Sequence, residues 1–264
     1  MKKILLLSLI VFLYSCSEDK TEDRYRSIIL TETIRMDTDP VYKTETYSFV
    51  NDQLTSLNVK QRYVESETTF GTQLEYEGNT VTRTDMNGKK AVYTLNGNGY
   101  AVKCHYEESD IQRDYTFSYS VDDYLERINE SVNGIPHATL TINYKDGDII
   151  RVTHNGSPVI YESGTKENKF ALPCLPLLET LLMEDHKEAY FGGLLGKPNR
   201  HLVTRTAYEG NQDEWTDYTY QFTVEGKPSA INTKLTYTGI IYDDEGIGHT
   251  TTSTIYRQIA IQME

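Results

Sequence analysis

The chain has 264 residues and a formal net charge of −13, long enough for one large all-β domain or two smaller ones. That charge argues against nucleic-acid binding, which needs clustered Lys and Arg to neutralise phosphates. The 21 Tyr residues favour strands that carry half-buried aromatic rings.

Lys2 and Lys3 precede an apolar stretch from Ile4 to Leu13 that is too short to span a bilayer, which predicts an export signal over residues 1–15. The signal ends Leu13-Tyr14-Ser15-Cys16, which resembles the lipobox of bacterial lipoproteins. The resemblance implies that Cys16 receives the lipid and becomes the new N-terminus, with ordinary secretory cleavage beside an incidental Cys as the alternative. Residues 16–24 follow, with Glu18, Asp19, Glu22 and Asp23. Such a run cannot bury surface and reads as an acidic tether. It is similar to the acidic signal that sends Bacteroidetes lipoproteins to the cell surface, although solubility alone also explains it. Ser17, where an Asp would suggest retention in an inner membrane, favours the outer membrane.

Residues 25–264 read as a single antiparallel β domain. Ile28, Leu30, Ile34 and Met36 share one face of a first strand. Hairpin turns follow at Asn51-Asp52, Gly78, Asn96 to Gly99, Asp122-Asp123, Asp146-Gly147 and Glu225-Gly226. The clearest copy is Tyr115 to Ile128, where Tyr115, Phe117 and Tyr119 alternate with Thr116, Ser118 and Ser120, and Tyr124 begins the return strand. From 52 to 147 the turns recur about every 20 to 26 residues, one hairpin per unit, the mark of a repeating architecture. Sequential hairpins give a meander that must curve, fold over itself or close to hide its edges.

The β pattern breaks at Phe170 to Lys197. Pro176 suits a first helical position. Leu177, Leu178, Leu181 and Leu182 then recur at helical spacing, with Glu184, Asp185, Lys187 and Glu188 on the outer face and Gly192-Gly193 as the stop. This predicts one short helix around 176–190. A helix covering one open end of the sheet is the favoured reading, and a lid or plug over a cavity is the other.

The hairpin copies resemble the tyrosine-rich YD-type units of bacterial surface proteins. Together with Tyr190-Phe-Gly-Gly-Leu-Leu-Gly-Lys-Pro-Asn199, they resemble more closely the Bacteroidetes lipoproteins grouped as a domain of unknown function with a porin-like fold. The resemblance implies an all-β, mainly antiparallel sheet curved like a porin wall, as a half-barrel or two-layered sheet, and no assigned activity. A period of two cannot tell an apolar face turned to a core from one turned to lipid. The lipid anchor, the short turns and the final Glu264 favour a barrel that does not span.

Motifs of chemistry are scarce. The chain contains no Gly-x-Ser-x-Gly, no His-Glu-x-x-His and no phosphate-cradling glycine loop ahead of a helix. Its six His are scattered, and Glu184-Asp185-His186 reads first as a charged helix face. Asp243-Asp244-Glu245-Gly246 lacks the alternating ligands of a calcium loop. No cofactor and no metal site are expected. Cys104 and Cys174 are open to a disulfide after export, or are two free buried thiols. Trp215, beside Asp213, Glu214 and Asp217, is the best single candidate for a ligand contact by stacking on a sugar ring, with edge packing as the bland reading. The expectation is a non-enzymatic, lipid-anchored binding or structural module at the outer membrane or cell surface, with a glycan or protein partner. The alternative is an exported hydrolase acting on glycans.

Overall fold

The computed structural model describes residues 27–34, 41–62, 66–108, 111–211, 213–242 and 248–264. The signal, Cys16, the tether, Met36 and the Asp243 to Gly246 run lie outside the described residues.

Sixteen strands follow one another: β1 Ser27–Ile34, β2 Val41–Val50, β3 Gln53–Arg62, β4 Glu67–Glu77, β5 Thr80–Asp85, β6 Lys90–Leu95, β7 Ala101–Glu108 and β8 Ile111–Tyr119. They continue as β9 Leu125–Val132, β10 Ile135–Lys145, β11 Asp148–His154, β12 Ser157–Glu167, β13 His201–Tyr208, β14 Glu214–Phe222, β15 Pro228–Tyr242 and β16 Gly248–Met263. Each pairs antiparallel with the next, and β1 pairs with β16 from Ile28↔Met263 to Ile34↔Arg257. The curved meander expected from the hairpins is therefore present, and it closes. Closure satisfies the last two rows of unpaired backbone groups, which no turn chemistry could do.

The turns form where short side chains accept a left-handed backbone. Asn51 and Asp52 both have positive φ, as do Asp123 and the pairs Asp146-Gly147, Asn133-Gly134 and Asn155-Gly156. At the Tyr115 hairpin the turn is longer than two residues. Ser120 Oγ accepts from the N–H of Asp122 and of Tyr124, so β9 begins at Leu125 rather than at Tyr124.

Burial separates the two sides of the wall. Inward, Tyr47, Leu57, Val59, Leu74, Tyr93, Tyr115, Phe117, Ile128, Leu140, Ile142 and Ile231 are buried. Outward, Asn58, Lys60, Gln73, Glu75, Lys103, Thr116, Ser118, Asn129, Lys234, Gln258 and Gln262 are exposed. This is the reverse of an integral barrel, whose outer band is apolar.

The connection between β12 and β13, residues 168–200, turns into the barrel. In place of the single predicted helix it makes a 3-10 turn Leu175–Glu179 and two short helices, α1 Leu181–Glu184 and α2 Lys187–Phe191. Its contacts reach strands all round the wall: Phe191 stacks on Tyr47 of β2 at 3.9 Å, His186 meets Tyr115 of β8, and Tyr161 of β12 donates to the Pro176 carbonyl. The segment is a plug inside the lumen rather than a cover across the end. A sixteen-strand barrel is wide enough to leave a channel if nothing fills it, and this chain fills it from its own sequence.

Candidate functional site

The motif Tyr190 to Asn199 is what holds the plug. The Tyr190 hydroxyl accepts from the Cys174 N–H at 3.0 Å, and Leu194 and Leu195 are buried. Backbone bonds then stitch the segment to the barrel turns: Ala101 N–H to Leu194 O at 2.8 Å, Lys197 N–H to Asp123 O at 3.0 Å and Arg200 N–H to Gly147 O at 3.0 Å. Gly196 has φ +85°, and a Cβ there would stand 2.6 Å from Asp123 O. Only glycine allows that approach.

All these anchors lie at the end of the barrel that carries the turns at 52, 78, 98, 123 and 147. Towards the other end two cavities sit side by side next to the plug, and their described lining forms a cup. One of about 370 Å³ lies between the plug and β1, β2 and β14 to β16, and the other, of about 320 Å³, lies between the plug and β3 to β8. Glu184 and Lys187 line both. Towards the rim, Phe70, Ile111, Ile135, Tyr208, Tyr237 and Ile255 fall on the inner face by register and are exposed.

The floor of this cup is charged. Glu188 is 1 % exposed. Its Oε1 accepts from Thr72 Oγ1 at 3.0 Å and from Arg83 Nε at 2.9 Å, while Oε2 has no partner among the described residues. Lys187 Nζ donates to Glu45 at 3.0 Å and to Glu184 at 3.3 Å. Glu45 also takes Lys43 at 2.9 Å and the Tyr47 hydroxyl at 2.9 Å. Glu130 accepts from Arg113 at 3.1 Å and from the Tyr115 hydroxyl at 3.2 Å. Arg257 pairs with Glu32 and stands 3.6 Å from Glu179. Burial raises the Glu179 carboxyl, with Arg257 opposing and Glu32 adding.

Two expectations for the helix face are corrected here. Glu188 and His186 do not face water: the helix turns them towards the wall, where Arg83, Thr72 and Tyr93 receive them. His186 is 2 % exposed. Its Nδ1 is 3.0 Å from the Tyr93 hydroxyl, and its ring sits edge-on to Tyr115, Phe117 and Tyr93. Burial, with Arg83 nearby, holds the imidazole down to about 3, so it is neutral. No feature of the sequence sets Glu188 apart from Glu184, because the arginine that selects it is 105 residues away.

Trp215 lies elsewhere. It is on the outer wall, opposite Ala207 and Thr236, half-buried. Its Nε1–H donates to Asp217 at 3.1 Å, and Arg205, paired with Asp217 at 2.7 Å, stands 5.9 Å from the ring centre. A sugar stacking there would have to displace Arg205. Trp215 lines neither cavity. Cys104 and Cys174 are free and buried, and burial pushes both thiols up to about 12. Among the described residues no three His, Cys, Asp or Glu side chains gather as metal ligands. The arrangement is one of paired charges over an apolar wall.

The family described as "Domain of unknown function (DUF4595) with porin-like fold" matches residues 47–230. The structure is similar to a porin-like protein from Bacteroides uniformis, with a TM-score of 0.78 and 26 % identity over 91 % of this chain and 96 % of that one. A porin-like protein from Bacteroides vulgatus shares the fold, with a TM-score of 0.55 and 12 % identity over 89 % and 97 %. No curated protein matches the chain.

Proposed function

The chain belongs to this family of domains of unknown function with a porin-like fold, and from that premise we propose that it is a binding module, tethered to the outer membrane through a lipid on Cys16 and held outside the bilayer. The observation that carries the reading is the inverted wall. A Lys or Arg facing lipid near mid-bilayer costs about 2–4 kcal/mol, and the outer face carries Lys60, Lys103 and Lys234 together with Glu75 and Gln73. The plug supports the same reading from inside, since a lumen filled by residues 168–200 does not conduct. What is left for a ligand is the cup formed by the two cavities beside the plug. The acidic tether of residues 16–24 suits display at the cell surface. A glycan contact at Trp215 is a separate use of the outer wall that this reading does not need.

The barrel from Tyr25 onward contains every described strand and the β1–β16 closure. Produced without its leader, it should stay in the aqueous phase when a detergent solution is warmed through its cloud point, and give no current steps in a planar bilayer. Partition into the detergent phase, or ion-conducting steps, would overturn the reading. Palmitate labelling of the full chain should vanish in Cys16→Ser, and its persistence would remove the anchor.

A further inference from the structure

Resting on the cup reading above, we propose that the cavity of about 320 Å³ binds an organic cation, an ammonium group carried on an apolar body, with Asp185 as its counter-charge. The argument begins with an inventory of charges. Each cation that lines this cavity is already matched to a carboxylate: Arg83 to Glu188, Arg113 to Glu130, Lys187 to Glu45 and Glu184. No cation stands within ion-pair distance of Asp185 among the described residues, and only Arg113 and Arg83 act on it, at longer range. Its side chain is partly exposed in the cup and lines the cavity.

A lone acidic side chain at a helix end is ordinarily a solvated charge. A second observation sets this one apart. Glu188, also lining the cavity and 1 % exposed, keeps Oε2 without a partner. Arg83 matches its charge, but the second oxygen keeps an open acceptor position that an ammonium N–H could fill. His186, neutral between the two acids, adds no opposing charge. The lining alone balances, but with the ion-pair partners behind it the five acids Glu45, Glu130, Glu184, Asp185 and Glu188 face the four cations Lys43, Arg83, Arg113 and Lys187, one negative charge in excess.

The walls select the rest of the ligand. Phe70, Tyr106 and Tyr115 line the same space, and aromatic faces attract an ammonium while accepting an apolar chain. An anion would find each arginine occupied and Asp185 repelling it. A neutral ligand would leave Asp185 uncompensated. The chemistry therefore favours an amine with an aryl or alkyl body, small enough to pass the apolar rim.

Three probes of one shape test this on the barrel from Tyr25 onward: 2-phenylethylammonium, 2-phenylethanol and 3-phenylpropionate, titrated by calorimetry and by ligand-observed NMR. The ammonium should bind at least tenfold more tightly than the other two. Asp185→Asn should lose that factor of ten, about 1.4 kcal/mol, with circular dichroism and melting unchanged. Asp185→Lys should turn the preference towards the carboxylate. Equal binding of alcohol and ammonium, or ammonium binding unmoved by Asp185→Asn, would overturn the cation assignment and leave the cup standing as a site. Binding of none of the three would overturn the assignment as well. Only the partition and conductance result reaches the underlying reading.

Discussion

The inner and outer faces of one strand behave as different materials. Along β8, Tyr115 and Phe117 are buried against the plug, while Thr116 and Ser118, one residue away, are exposed. The same alternation runs through the meander, so the barrel wall is a single layer with an oil side and a water side. In an integral barrel the oil side faces out and the lumen is polar. Here the lumen is the core, and the plug is the material that makes it solid. The contrast teaches that strand count and closure do not decide which face of a barrel wall is packed and which is exposed.

The largest test of that contrast is at Phe117, which packs on Tyr93 and His186. Phe117→Ala should cost about 3–5 kcal/mol in chemical denaturation, as a large ring lost from a packed interior. If the two faces were equivalent, its neighbour Ser118 would cost as much.

Next in size is the buried pair at the plug. Arg83→Ala leaves Glu188 in the wall without its cation, and should cost about 3 kcal/mol. The double change Arg83→Met with Glu188→Leu should cost less than the single one, because no charge is then left buried. Additive losses would show that Glu188 is not held by Arg83.

The third test uses pH. The unfolded chain takes up a proton on His186 near pH 6.5, and the folded chain refuses it until about 3. The stability this contributes is whole above pH 6.5 and is lost as the pH falls through that window. Within the window the slope should be about 1.4 kcal/mol per pH unit, and His186→Phe should lack it. Burial raises Asp185 and Glu179, which bind protons more readily in the folded state and act in the opposite sense. The difference between the two proteins is therefore the quantity to read.

The smallest effects belong outside. Asp217→Asn on the outer wall loosens Arg205 and the Trp215 indole, and should cost less than about 1 kcal/mol, since exposed ion pairs contribute little. Ser118→Ala should stay within about 0.5 kcal/mol. A loss at Ser118 as large as at Phe117 would mean that the faces are assigned the wrong way round.

Much of this was legible along the chain, and the reason is range. Period-two alternation, the Asn-Gly and Asp-Gly turns and the hairpin spacing are properties of neighbours a few residues apart, so the β meander and its apolar face could be read from Tyr115 to Ile128 alone. The place of a helical segment after Pro176 was legible for the same reason. Its form was not. One predicted helix became three short turns because the inner wall, not the helix ladder, takes its side chains: Phe191 goes to Tyr47, His186 to Tyr93, Glu188 to Arg83. Closure of β1 on β16, the entry of residues 168–200 into the lumen, and the choice of Glu188 rather than Glu184 as the buried acid all join residues far apart along the chain, from dozens of positions to more than two hundred. Alternation is the same for a wall that faces lipid and a wall that faces a core. Which side became the interior was decided by the plug, whose apolar surface the inner face covers, leaving the charged face exposed.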